Sequence, residues 1–126
     1  MTEKILLIED NEQNRILMRQ ILVRKGYDLL EAKDGLTGLE MARAHIPALI
    51  LLDIQMPVMN GFMVIRELRN DPELRKIKVI AVTSFAMKGD REKALQAGFD
   101  EYVTKPIDTR TFPELIKQVL AEEVQP

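Results

Sequence analysis

The stretch ALILLDIQMPVMNG, residues 48–61, decides the fold. Ala48 to Leu52 carry no polar side chain, so the segment reads as a strand covered on both faces, as in a parallel sheet. The run stops on Asp53, and Met56-Pro57 and Asn60-Gly61 then turn the chain. An ionised carboxylate at the edge of an apolar core is costly unless it gains a partner. Asp53 therefore has either a structural partner or a chemical role.

Outward from that stretch, strands and helices alternate. KILLIE (Lys4–Glu9) reads as a strand. Asn11 is placed to cap a helix through Lys25 that stops at Gly26. Residues 27–32 form a second, weaker strand closed by Asp34-Gly35, and a helix over 36–45 must end before Pro47. Gly61 opens a third helix, broken at Asp71-Pro72. Lys78–Ser84 is a fourth, almost wholly apolar strand; a helix in 89–97 stops at Gly98; Glu101–Lys105 is a short fifth strand. In the last helix Phe112, Leu115, Ile116, Val119 and Leu120 recur at helical spacing. This alternation predicts an α/β domain of three layers over residues 1–126, a parallel sheet with helices on both faces, and a frayed polar tail at 122–126.

Composition narrows the function. The chain has 126 residues, 46% of them apolar, a formal net charge of -2 and no cysteine. Disulfides and thiolate metal sites are excluded, which fits a cytoplasmic location. No apolar run suffices to span a bilayer and no signal-peptide pattern opens the chain, so no membrane role is expected. No basic tract marks a direct nucleic-acid partner.

Open parallel sheets bind ligands beyond the carboxyl ends of their strands. Here those ends carry Glu9-Asp10, Asp53, Thr83-Ser84 and Lys105-Pro106. Three carboxylates in one cleft either take up protons or bind a cation. Oxygen ligands without His or Cys select Mg²⁺ over zinc, with Mn²⁺ as a substitute. A carboxylate beside a metal, a hydroxyl and a lysine suits nucleophilic attack on phosphorus. Taken singly, Thr83 reads as a β-branched strand residue, Tyr102 as core and Lys105 as a solvated lysine. Met56 and Met59 read as loop packing, and His45, near a helix end before Pro47, as structural. Only the joint occurrence of Asp10, Asp53, Thr83 and Lys105 raises them above those readings.

IED (Ile8–Asp10), LLDIQMPVMNG (Leu51–Gly61), VTSFA (Val82–Ala86) and AGFDEYVTKPI (Ala97–Ile107) stand together in the order and spacing of receiver domains of two-component response regulators. The chain resembles that family from about Lys4 to Leu120. The stretch 83–108 is most similar to DivK-like single-domain regulators and to receivers of hybrid histidine kinases. The resemblance implies a flavodoxin/CheY-like fold with five helices and strand order 2-1-3-4-5. It implies that Asp53 accepts a phosphoryl group from a histidine kinase or a histidine phosphotransfer protein, and that the domain promotes its own phosphorylation and dephosphorylation. It implies Mg²⁺ held by Asp10 directly, by Glu9 through water, by Asp53 and by the Gln55 backbone carbonyl. Thr83 and Tyr102 match the switch pair, and Lys105 the family lysine, with the Lys105-Pro106 bond expected cis. Gln55 and Phe85 match positions that tune phosphoryl lifetime, and a bulky Phe85 is expected to shield the phosphoaspartate from water.

Output is then expected through protein contact, with a downstream partner engaging a face that includes Asp90, Arg91 and Leu95. Asn14, Arg15 and Met18 are expected to dock the phosphodonor. The chain stands alone or comes from a larger protein, as a monomer or a phosphorylation-dependent dimer. A haloacid-dehalogenase-type phosphatase wants a second aspartate where Gln55 stands, and a dinucleotide-binding domain wants glycines where Asn11–Asn14 stand. A receiver-like interaction module independent of phosphorylation remains the alternative.

Overall fold

Five short runs of apolar sequence become five parallel strands: β1 (Lys4–Ile8), β2 (Asp28–Ala32), β3 (Leu49–Asp53), β4 (Lys78–Thr83) and β5 (Glu101–Thr104). Between and after them lie α1 (Glu12–Arg24), α2 (Gly35–His45), α3 (Gly61–Asn70), α4 (Asp90–Ala97) and α5 (Thr111–Ala121). The computed structural model describes residues 2–84 and 87–122. Phe85, and with it the shielding expectation, lies outside the described residues, as does the tail from 123 onward. The sheet order is β2-β1-β3-β4-β5, as the resemblance implied.

Side chains alternate across a strand, so each central strand feeds two cores. Ile5, Leu7, Leu49, Leu51, Ile80 and Val82 meet α1 and α5 through Met18, Leu22, Phe112 and Ile116. Leu6, Ile8, Ile50, Leu52, Val79 and Ala81 meet α2, α3 and α4 through Leu39, Val64, Leu68 and Ala94. These two packed faces make the three layers. Met56 and Met59 pack against the second core. His45 is exposed in the last turn of α2, which runs back from the carboxyl edge of the sheet.

The helix starts follow local chemistry. Asn11, Asp34 and Asn60 each accept a hydrogen bond from the backbone N–H three residues on, capping α1, α2 and α3. Helix α4 begins instead at Gly89, in left-handed conformation and without a side-chain cap.

Candidate functional site

Register assembles the site before any side chain is considered. Ile8 pairs with Leu52 across β1 and β3, so Glu9, one residue on, reaches the level of Asp53. Asp53 pairs with Val82, and Thr83 with Thr104, which puts Thr83 and Lys105 at the same edge. Because the strands all run parallel, these ends lie along one edge of the sheet.

The three carboxylates converge: Glu9, Asp10 and Asp53 each offer an oxygen within 4.8 Å of the others. Glu9 and Asp53 are buried and Asp10 is exposed. Lys105 reaches in from the far side of the edge, its Nζ 2.7 Å from Glu9 Oε1 and 3.5 Å from Asp53 Oδ2. Asp53 Oδ1 accepts a bond from the Gln55 N–H at 3.1 Å, and Glu9 Oε2 accepts one from the Asn11 N–H at 3.2 Å. The Lys105–Pro106 peptide is cis, as expected.

Burial, then the neighbouring Glu9, push the Asp53 carboxyl up to about 8, while Lys105 pulls the other way. A divalent cation would relieve this crowding. The donor set fits one: hard carboxylate oxygens, close together, with a single ammonium, Lys105, set against two buried carboxylates.

The loop after β3 depends on Gly61. A Cβ there would lie 2.8 Å from the Asp53 carbonyl oxygen and 2.8 Å from Ile54 Cα. Glycine lets α3 start directly behind the acceptor strand. Across the edge, the Gln55 amide links the two loops: its Nε2 donates to Thr83 Oγ1, and its Oε1 accepts from the Ser84 N–H at 3.0 Å. Sequence reasoning gave Gln55 a backbone role and a tuning role but not this bridge. The signal available was an amide side chain on the loop facing a β4 end with two polar groups.

Tyr102 is half-buried against the α2–α4 core, and burial followed by the charge of Asp90 raises its hydroxyl pKa. Arg91 is exposed and pairs with Glu101 at 2.7 Å, while Asp90 and Leu95 are half-buried. Asn14 is half-buried and lines a shallow cavity of about 50 Å³ with Leu17, Lys105 and Pro106.

The expected docking face on α1 needs correction. Met18 is only 1% exposed and belongs to the α1–α5 core. Arg15 is 8% exposed, its guanidinium turned beneath the β1–α1 turn. Arg15, Met18 and Leu22 are the inward stripe of the helix. The exposed side of α1 instead carries Gln13, Ile16 and Gln20.

Residues 5–117 match the family described as the response regulator receiver domain. The chain belongs to that family. This receiver is 46% identical over 122 residues to the polar-differentiation response regulator DivK of Brucella ovis, covering 97% of this chain and 99% of the relative. It is 31% identical to the receiver domain of a sensor histidine kinase from Pseudomonas aeruginosa, with a TM-score of 0.88 and coverage of 97% and 100%. That structure holds a magnesium ion in its active-site cleft. Chemotaxis protein CheY4 of Vibrio cholerae superposes with a TM-score of 0.88 at 23% identity, covering 94% of this chain and 99% of its own, a likeness of fold. The receiver is thus a DivK-like member of the two-component signalling proteins. No described helix is long and apolar enough to cross a membrane.

Proposed function

We propose that this receiver accepts a phosphoryl group on Asp53 from a phosphohistidine of a kinase or phosphotransfer protein, with Mg²⁺ at the acidic edge. The observation that carries the reading is a buried carboxylate, Asp53, set between Glu9 and Lys105 at the carboxyl edge of the sheet. Asp53 attacks phosphorus as the carboxylate; the bond between phosphorus and the histidine nitrogen breaks, and the nitrogen leaves with the electron pair. Lys105 favours the ionised form of Asp53 and stands ready for a phosphoryl oxygen. Asp10, Glu9, Asp53 and the Gln55 carbonyl would hold the cation. Bound Mg²⁺ supplies charge neutralisation for the carboxylates and the transferring group.

Thr83 and Tyr102 then transmit the change. Thr83, at the end of β4, turns toward the new phosphoryl group, and Tyr102 follows it. The readout surface includes Asp90, Arg91 and Leu95 of α4, whose contacts a downstream protein would sense.

Intact mass after incubation with acetyl phosphate tests this. A single phosphoryl adduct is expected with Mg²⁺, absent with chelator and absent in Asp53→Asn. Failure to form the adduct, together with no spectral change on adding beryllofluoride and Mg²⁺, would overturn the reading and point to an interaction module that works without phosphorylation.

A further inference from the structure

Arg15 has no part in the site as described above, yet it is a nearly buried cation one helical turn from two acidic residues. Its Nη1 donates to the carbonyl oxygen of Glu9 at 2.9 Å and to that of Asp10 at 3.2 Å. Its nearest carboxylate is Glu31 on β2, with Nε 3.8 Å from Oε1, too long for a hydrogen bond. Glu31 is itself fixed by a two-point grip from Arg19, at 2.7 and 2.9 Å. A guanidinium is expensive to bury, and filling this space would need only an apolar chain. What the charged group adds is a hold on two successive peptide planes, those from which the Glu9 and Asp10 side chains project.

The rest of the turn is tied on its other side. Glu9 Oε2 accepts from the Asn11 N–H, and Asn11 Oδ1 accepts from the Asn14 N–H at 2.9 Å. Arg15 therefore completes the frame from below. We propose that Arg15 is a positioning residue for the cation site, holding the Glu9 and Asp10 main chain so that their carboxylates stay aimed at Asp53. This rests on the reading of Glu9, Asp10 and Asp53 as a Mg²⁺ site.

The sign of the effect separates positioning from charge. Removing a nearby positive charge should, by Coulomb's law alone, strengthen binding of a cation. Losing the grip on the ligand-bearing turn should weaken it, by about tenfold for a residue that orients metal ligands. The experiment is a calorimetric titration of Mg²⁺ into the full chain, with thermal melts confirming that each variant is folded at the titration temperature. Arg15→Gln is expected to bind Mg²⁺ about tenfold more weakly. Arg19→Gln, which removes one positive charge facing Glu31 without touching the carbonyls, is expected to match the wild type. Arg15→Lys keeps the charge on a shorter chain without the planar fork, and about threefold weakening is expected. It decides the matter if Arg15→Gln does not fold. Unchanged or tighter binding in the Arg15 variants would overturn the proposal. A wild type that takes up no Mg²⁺ would overturn the functional reading first, and this one with it.

Discussion

Helices α1 and α4 both flank the carboxyl edge of the sheet, and they are held in opposite ways. Helix α1 starts on a capping asparagine and buries Arg15, Met18 and Leu22. Helix α4 starts on an uncapped left-handed glycine, and Ala94 is its buried residue among those described. Its firm point is the far end, where Gly98 caps it and Arg69 Nε donates to the Gly98 carbonyl at 2.9 Å. The same Arg69 donates to the Ile77 carbonyl and to Asp100, which also receives the Val79 N–H. One helix is clamped along its length beside the ligand-bearing turn; the other is tethered at its end. Low burial and a weak start are the marks of a segment that opens locally. The edge that carries the acidic cluster is firmly held, and the surface proposed to report is loosely held.

The sharpest test of the rigid side is its electrostatic cost. The folded state holds a proton on Asp53 that the unfolded chain, with an ordinary carboxyl, releases, because burial and Glu9 raise that carboxyl to about 8. Stability from this group is full below about pH 4 and is lost as pH rises through about 8. Without Mg²⁺, Asp53→Asn should be more stable than the wild type at pH 8 by a few kcal/mol, order of magnitude, with the gap closing toward pH 4. Denaturant melts across that range check it; equal stability at both ends would remove the strain from the acidic edge.

Packing gives the next contrast. Leu22→Ala should cost about 3 kcal/mol, since Leu22 is 0% exposed in the core, whereas half-buried Leu95→Ala should cost under about 1.5 kcal/mol. Equal losses in urea melts would break the comparison. Arg69→Ala frees the α4 tether and leaves Asp100 without its charge partner, for a loss of about 2 kcal/mol. Hydrogen exchange should then speed up across α4 while α1 is unchanged. The smallest effect belongs to Arg91→Ala: its pair with Glu101 is more than half exposed on the arginine side and is worth under about 1 kcal/mol.

Most of the fold was legible because hydrophobic runs, turn residues and caps agree: Asn11, Gly26, Pro47, Gly61 and Gly98 all stand at the helix boundaries they foretold. The acidic edge was legible because strand ends gather on one side of a parallel sheet. The direction of Arg15 was not. Its spacing with Met18 and Leu22 was visible, but a charged side chain reads as solvent-facing, and its partners are backbone carbonyls, which leave no trace in side-chain identity. Arg69 escaped notice because its partners are main-chain carbonyls and a carboxylate, Asp100, distant in sequence, and the Gln55 bridge depends on loop geometry that residue type does not specify.

The parallel register has a consequence for folding itself. Ile5, Leu6, Leu7 and Ile8 are all fully or almost fully buried, as are Leu49 to Leu52, so neither face of β1 or β3 is distinguished by polarity. A slip by one residue would trade apolar for apolar along most of the strand. It would not pass unnoticed at the end: sliding β1 by one would draw Glu9 down beside Leu52, away from the Lys105 ammonium and the Asn11 N–H that partner its buried carboxylate. The acidic residues at the sheet edge thus set the native register apart from a slipped one, punctuation that an otherwise uniform hydrophobic text lacks.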